Sequence, residues 1–325
     1  MGKINIFNDK TIILGLTGAL TCFKICPLIQ RLKKEGVRFR IIASENALNF
    51  ITKTTLQTLA KTEVLTTQFN PKKFDEKHKS LAEEGDVFLL APATAQTISK
   101  VANGIADNLL TSVLCTWQKP LIIAPAMNPG MWFNPATQNN ISALKKRGVF
   151  FVDAPKGALP DIEIIYKKLE TILQFQNKLK GKNILITNGS IKESRGTFFL
   201  SPKDDNNFGK ELADFLYICG AKITLVTDKL FDAPYTQIVA DNRKDFQTVI
   251  LQNLTNADIF IHTAKVLPYT VLKQDELNFT LQKAEDIFDI FCKSKKPNQI
   301  FKVLTEADFK NKTPQETVEQ ILPII

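Results

Sequence analysis

The feature of this sequence that most constrains its fold is a regular alternation of short apolar runs and longer amphipathic stretches. Short runs rich in Ile, Leu and Val are typical of strands buried on both faces of a parallel sheet, and the stretches between them have helical spacing. In the first half, the predicted strands are residues 11–16, 37–43, 86–91, 120–125 and 149–152, and the predicted helices are residues 21–35, 77–84, 94–103 and 135–147. This order predicts right-handed βαβ units with helices on both faces of one sheet.

The second half repeats the alternation after a long helical stretch at residues 162–180. Its predicted strands are residues 183–187, 221–227, 258–263 and 300–304, and its predicted helices are residues 208–219, 244–254 and 281–292. The predicted fold class is therefore α/β, with two Rossmann-like parallel-sheet domains of three layers each in series. We place the boundary near residue 180, which gives domains 1–180 and 181–325.

The amino-acid composition narrows the range of functions that we expect for the chain. No apolar run reaches the roughly 18 to 20 residues that a membrane span needs, so a cytoplasmic protein without a membrane partner is expected. The net charge of +9 comes from lysines spread along helices, which favours small phosphorylated ligands over nucleic acid. The five cysteines are scattered, and two histidines cannot complete a zinc site, so we predict neither disulfides nor a metal.

Small and hydroxyl-bearing residues follow the predicted strands of the first half. They are Gly15, Thr17, Gly18, Ser44, Ala93 and Thr94. Open α/β sheets bind ligands at the carboxyl ends of their strands, and glycines near a helix N-terminus let the backbone approach a phosphate. The alternative is that the hydroxyl groups only cap helices, because Ser and Thr are preferred at that position. Several strand ends converge, which favours a ligand site.

Four segments give this half a specific resemblance. Residues 125–132 (Pro-Ala-Met-Asn-Pro-Gly-Met-Trp), 91–97 (Ala-Pro-Ala-Thr-Ala-Gln-Thr), 103–110 (Asn-Gly-Ile-Ala-Asp-Asn-Leu-Leu) and 78–82 (His-Lys-Ser-Leu-Ala) occur in the order and at the spacing of one family. They resemble the homo-oligomeric flavin-containing cysteine decarboxylases. The chain as a whole is similar to the bifunctional phosphopantothenoylcysteine decarboxylase and phosphopantothenate-cysteine ligase of coenzyme A biosynthesis.

The resemblance implies FMN as cofactor, held between the subunits of a trimer or of a dodecamer. It implies Gly15, Thr17, Gly18, Ser44, Ala93, Thr94 and Met127 as cofactor-binding residues. It also implies His78 as the catalytic group for proton movements, Asn128 as a catalytic residue that binds the substrate carboxylate, and Met131 as a further substrate contact. The implied reaction removes CO2 from phosphopantothenoylcysteine on the way to phosphopantetheine.

The first half departs from the family in two places. The family has a glycine-rich loop containing Ala-Cys-Gly-Asp, whose cysteine protonates the enethiolate, but here residues 155–162 read Pro-Lys-Gly-Ala-Leu-Pro-Asp-Ile. The motif asparagine is replaced by Gln96. Three outcomes remain open: a decarboxylase slow in its last reduction, an oxidative decarboxylase that releases an enethiol, and an impaired flavin-binding scaffold or regulatory subunit.

The second half resembles the ligase domain, which uses CTP, through residues 179–190 and 220–226. The resemblance implies Gly189, Ser190 and Lys283 as possible nucleotide-binding residues. However, Pro202 stands where the family has an asparagine, and Asp204 and Asp205 replace small hydroxyl residues. Carboxylates disfavour a neighbouring polyphosphate unless a metal intervenes, so CTP and Mg²⁺ are expected only if this half is active.

Overall fold

The structure is a computed structural model of the whole chain. It describes residues 5–67, 77–195, 198–202, 207–267, 269–275, 278–283, 287–304 and 315–317, with the side chains of residues 77, 78, 194, 195, 198–200, 269–275 and 278–283 outside the description. The chain divides into two compact units, Met1–Gln174 and Phe175–Ile325. The boundary predicted near residue 180 remains a prediction.

The first unit is built on a six-stranded parallel sheet with the strand order β3-β2-β1-β4-β5-β6. Its strands are β1 (Thr11–Leu16), β2 (Arg38–Ala43), β3 (Val64–Leu65), β4 (Val87–Ala93), β5 (Leu121–Pro125) and β6 (Phe150–Phe151). Every residue of β1 and β4 is buried, as expected for central strands covered on both faces. The buried parallel strands confirm the predicted α/β fold class for this unit.

Helices surround this sheet, and no described helix is long and apolar enough to cross a membrane. They are α1 (Cys26–Lys34), α2 (Lys53–Ala60), α3 (Lys77–Glu84), α4 (Ala95–Ala102), α5 (Leu109–Thr116), α6 (Pro129–Trp132), α7 (Pro135–Lys146) and α8 (Ile162–Phe175). The sequence did not predict α5, because residues 109–114 are all buried and the segment has no polar face to reveal a helical period.

The predicted helix 21–35 is two elements. A 3-10 helix spans Leu20–Ile25, and α1 begins at Cys26 with Pro27 in its first turn. Proline has no N–H to contribute and suits the start of a helix, so the break falls where the sequence permits it. Residues 20–25 thereby lie in a separate short helix after β1.

The second unit contains a five-stranded parallel sheet with the order β12-β11-β7-β13-β17. Its strands and its short pairs are β7 (Asn183–Thr187), β8 (Ser190–Ile191), β9 (Glu193–Arg195), β10 (Phe198–Leu200), β11 (Lys222–Thr227), β12 (Thr236–Val239), β13 (Ile259–His262), β14 (Lys265–Val266), β15 (Tyr269–Asp275), β16 (Asn278–Lys283) and β17 (Ile300–Val303). Its helices are α9 (Phe208–Ile218), α10 (Arg243–Leu254) and α11 (Ile287–Cys292).

One element of this unit was predicted wrongly. Residues 281–292 were expected to form a helix, but β16 pairs antiparallel with β15 and α11 begins only at Ile287. The segment Asn-Phe-Thr-Leu-Gln-Lys at residues 278–283 alternates polar and apolar residues, and this period of two is the mark of a strand. Lys283, a possible nucleotide-binding residue, is therefore at a strand end, with its side chain outside the described part of the structure.

Candidate functional site

A cavity lies at the carboxyl edge of the first sheet. Its volume is about 920 Å³, which is within the range of small-molecule sites. The residues around it follow β1, β2, β4 and β5, because parallel strands end at one edge of their sheet. Of the residues predicted to bind cofactor or substrate, the structure brings Gly18, Ser44, Thr94, Met127, Asn128 and Met131 to the cavity wall.

Three of these side chains cap the helices that start at the cavity. The Ser44 Oγ accepts from the Ala47 N–H at 3.3 Å, the Thr94 Oγ1 from the Thr97 N–H at 3.5 Å, and the Asn128 Oδ1 from the Met131 N–H at 2.9 Å. Each of the three side chains thus caps a helix. It does not exclude ligand binding, because the same residues line the cavity and their helices direct the positive ends of their dipoles to it.

Beneath the cavity, Thr17 connects the end of β1 to the end of β4 through hydrogen bonds. Its buried hydroxyl donates to the Pro92 carbonyl at 2.7 Å and accepts from the Thr94 N–H at 2.9 Å. These bonds join the end of β1 to the turn between β4 and α4. Thr17 is therefore a positioning residue beneath the cavity wall.

Gly15 and Ala93 also lie beneath the wall and do not line the cavity, so their binding of a cofactor stays a prediction. Ala93 is fully buried in β4, and its carbonyl accepts from the Ala126 N–H at 2.8 Å. A Cβ at Gly15 would lie 2.7 Å from a methyl carbon of Leu110 and 2.9 Å from the Phe88 ring. The glycine belongs to the buried strand rather than to the turn after it, and its missing side chain makes room for α5.

This packing predicts a stability effect. Gly15→Ala is expected to destabilise the protein by about 1–3 kcal/mol, because a methyl group would overpack the core. Gly130→Ala is the matched control, since its Cβ would have one neighbour, at 3.4 Å. Urea unfolding compares the two. Equal stability of both variants and the wild type would contradict the assignment of Gly15 to packing.

Two observations indicate that the cavity accommodates a polar ligand. The Thr21 hydroxyl oxygen, on the cavity wall, is buried and has no hydrogen-bond partner among the described residues. A buried hydroxyl of this kind normally has a partner, which a ligand or a water can supply. Gly18 allows the loop after β1 to approach Asn46 so closely that a Cβ there would lie 2.6 Å from the Asn46 Cβ. Glycine is thus required at this wall.

The charged groups of the wall are unevenly paired. Lys100 forms an ion pair with Asp107, and this hydrogen bond lowers the pKa of the Asp107 carboxyl group. Lys24 and Glu45 also line the cavity, and neither forms an ion pair with another residue that the structure describes. One ammonium group is therefore available for an anionic ligand.

The segment at residues 103–110 supports this wall from the side. Asn108 forms a capping box with Thr111 at the start of α5, and the Thr111 hydroxyl also donates to Asp107 at 3.2 Å. Asp107, Asn108 and Thr111 all line the cavity. The family-like segment 103–110 thus contains a helix start that fixes one side of the site.

The shortened loop after β6 forms another part of the wall. Gly157, with φ of +81°, accepts at its carbonyl from the Met127 N–H at 2.8 Å, and Ala158 and Leu159 then line the cavity. Among the described residues of the wall there is no cysteine. Cys22 is fully buried, its thiol donates to the Thr17 carbonyl, and burial raises its pKa.

The other residues that the sequence analysis singled out lie at the following positions in the structure. His78 is the second residue of α3, but its side chain is outside the described part of the structure. Gln96, the amide that replaces the family asparagine, lines the cavity. Gly189 and Ser190 follow β7 at the carboxyl edge of the second sheet, where the Ser190 N–H donates to the Asp228 carboxylate at 3.1 Å.

Several wall residues were missed by the sequence predictions. Thr21 was placed inside a long helix, whereas the short 3-10 helix turns its hydroxyl to the cavity. Asn46 carried no signal of its own, since a polar residue after a strand usually faces solvent, and Lys24 was placed in the same predicted helix as Thr21. The proline at position 27 could have located the end of the 3-10 helix, and with it Thr21.

Comparison with known proteins gives matches over both units. Residues 6–178 match the family described as Flavoprotein, and residues 179–316 match the DNA/pantothenate metabolism flavoprotein C-terminal domain. The coenzyme A biosynthesis bifunctional protein CoaBC of Bacillus subtilis is 32% identical over 82% of this chain and 70% of its own length. The protein of the same name from Vibrio vulnificus is 30% identical over 86% of this chain and 76% of its own length.

Among solved structures, the epidermin biosynthesis protein EpiD from Staphylococcus aureus is 33% identical, with a TM-score of 0.43 over 50% of this chain and 99% of that one. The family match spans the unit that contains the cavity, and the CoaBC relatives extend through both units. The chain therefore belongs to the flavoprotein family of bifunctional CoaBC proteins of coenzyme A biosynthesis.

Proposed function

We propose that the first unit binds FMN and decarboxylates phosphopantothenoylcysteine in coenzyme A biosynthesis. The observation that carries this proposal is the cavity, where capped helix starts meet the Lys24 ammonium group and the Thr21 hydroxyl, which has no partner among the described residues. Family membership supports the cofactor and the substrate class. When bound, the flavin supplies the two-electron chemistry that no side chain of the wall can supply.

The residues of the wall have separable roles in this proposal. Thr21 and the helix starts after Ser44 and Thr94 hold the polar groups of FMN. The Asn128 Oδ1 is engaged by the Met131 N–H, so its amide nitrogen is the end left to donate to the substrate carboxylate. His78, on α3, carries protons during the reaction. Lys24 neutralises a phosphate.

The proposal includes a homo-oligomer, with a trimer or a dodecamer as the family implies. Two large apolar residues of the cavity wall are solvent-exposed, Leu20 by 70% and Met131 by 52%, and Phe133 is exposed by 63%. Exposed apolar groups clustered at a ligand site are typical of surfaces that another chain covers. A second copy that covers them would also shield the cavity from water.

A second candidate function is oxidative decarboxylation with release of an enethiol. It is favoured by one observation: none of the described wall residues is a cysteine, and the buried Cys22 thiol is a poor acid because burial raises its pKa. The family resemblance gives the proton for the last reduction to a loop cysteine. Without that proton, the enethiol would leave, and the two electrons taken from the substrate would stay with the flavin until an external oxidant such as dioxygen removed them.

The test is the mass of the product. We expect the purified protein to be yellow and to convert phosphopantothenoylcysteine with loss of CO2, and the enethiol, two hydrogens lighter than the aminothiol, to accumulate first. A time course by mass spectrometry measures both products. Immediate formation of the aminothiol alone would contradict the role given to the missing cysteine. Unchanged substrate with bound flavin would leave the scaffold alternative, and a colourless protein would overturn the proposal.

A cysteine can be returned to the wall in the same experiment. Ala158→Cys places a thiol on the shortened loop where the residue lines the cavity, and it is expected to raise the share of the aminothiol. Asp153→Cys is the matched control, because Asp153 is an exposed residue just before this loop and does not line the cavity.

A further inference from the structure

The second unit contains a turn whose geometry suits an anion, and a carboxylate of the chain itself occupies this turn. Gly189 follows β7 with φ of +92°, and the next residue, Ser190, points its N–H at Asp228 Oδ2 at 3.1 Å. Successive amides in such a turn form a concave donor surface that suits phosphate. A Cβ at Gly189 would overlap the Asp228 carboxylate, so this carboxylate is seated directly on the turn.

The carboxylate reaches the turn because two neighbouring strands end together. β11 and β7 pair in parallel, with Val226 opposite Thr187, so Asp228 and Gly189 both follow their strands at one edge of the sheet. The Thr227 hydroxyl donates to the second carboxylate oxygen at 3.4 Å. Both oxygens of Asp228 therefore have partners within the protein.

The nearest helix start is also engaged. The Lys210 N–H in the first turn of α9 donates to Asn188 Oδ1 at 3.1 Å, and the buried Asn188 amide nitrogen donates to the Thr227 hydroxyl at 3.3 Å. This hydroxyl in turn donates to Asp228. One chain of hydrogen bonds thus runs from the helix start to the carboxylate, and it uses the donors that an anionic ligand would otherwise find.

We propose that Asp228 is a specificity-determining residue of the second unit, an internal anion that takes the place of a ligand phosphate and closes the Gly189–Ser190 turn to nucleotides. A phosphate group at this turn would lose the Ser190 N–H and meet a negative charge, and both effects oppose binding. The inference does not depend on the flavin site, so either can fail without the other.

The test measures the binding of inorganic pyrophosphate to the full-length chain in the presence of EDTA, which prevents a metal from bridging the charges. Equilibrium dialysis gives the affinity, and selective ¹⁵N-serine labelling reports on the Ser190 amide. We expect no shift of this amide in the wild type. In Asp228→Ala we expect at least tenfold tighter binding and a clear shift, because the amide no longer donates to the Asp228 carboxylate and the negative charge is gone.

Two further variants complete the design. Asp228→Asn keeps an acceptor for the Ser190 N–H but removes the charge, so it is expected to bind with intermediate affinity, and it decides the question if Asp228→Ala does not fold. Asp232→Ala removes the same charge from an exposed position on the following loop and should behave as the wild type. The proposal is overturned if the wild type already binds pyrophosphate through Ser190, if the Asp228 variants bind no better, or if Asp232→Ala binds as tightly as they do.

Discussion

Asn128→Asp is expected to lower kcat/KM for decarboxylation by about 100-fold, with flavin content and stability unchanged. The reason is that the amide oxygen and the amide nitrogen of Asn128 have different roles. The Asn128 Oδ1 caps α6 by accepting from the Met131 N–H at 2.9 Å, while the amide nitrogen has no partner among the described residues. An aspartate keeps the cap, which a carboxylate serves well at a helix N-terminus, but replaces the donor with a charged acceptor.

The size of the effect follows from the bond that is lost. A hydrogen bond to a charged group contributes about 1.5–3 kcal/mol, and about 1.4 kcal/mol corresponds to a factor of ten in rate. Repulsion between the new carboxylate and the substrate carboxylate adds to this loss. The kcat/KM should therefore fall while the absorbance spectrum of the bound flavin stays the same.

The chain offers a matched control six residues further on. Asn134 also caps a helix, with its Oδ1 accepting from the Ala136 N–H at 2.9 Å, but it does not line the cavity. Asn134→Asp should therefore have wild-type kcat/KM. If it loses as much activity as Asn128→Asp, or if Asn128→Asp stays within a few-fold of the wild type, Asn128 does not bind the substrate carboxylate.

The sequence predicted the first sheet well because its strands are short apolar runs with clear limits. It also predicted the position of the cavity, since the carboxyl ends of parallel strands meet at one edge. Ser44 and Thr94 were found in this way, whereas Asn128 was implied by the family resemblance, and the structure places all three on the cavity wall. The residues at strand ends can be predicted from the sequence because their position depends only on the local pattern and on the topology of the sheet.

The features that the sequence did not show share a cause, which is that side-chain packing determines them. Gly15 carried the same sequence signal as Gly18, but only the structure shows that Leu110 and Phe88 occupy the space beside it. The apolar helix α5 had no polar face, so its period was hidden. Asp228 is a single acidic residue after a strand, and no pattern in the sequence indicates that its carboxylate is seated on Gly189.

Thr17→Val tests whether the cavity floor determines cofactor binding. Valine has nearly the shape of threonine but cannot accept from the Thr94 N–H, which the hydroxyl now does at 2.9 Å. The Pro92 carbonyl keeps a donor, because the Thr17 N–H also reaches it, at 3.2 Å. One half-buried N–H is thus left without its acceptor, at a cost of about 1–3 kcal/mol. The turn before α4, where the Thr94 side chain caps the helix, loses its side-chain link to Thr17 and keeps the backbone one.

We expect the melting temperature to fall by about 2–10 °C and the affinity for FMN to fall by about tenfold, as measured by thermal unfolding and by flavin fluorescence titration. Thr17→Ser restores the hydroxyl and should recover both values, which a purely steric role of the threonine would not predict. Thr171→Val makes the same exchange at an exposed hydroxyl on α8 that bonds only the Lys167 carbonyl, and it should change neither. Wild-type FMN affinity in Thr17→Val would show that the turn is held by other contacts, and that Thr17 does not position the flavin site.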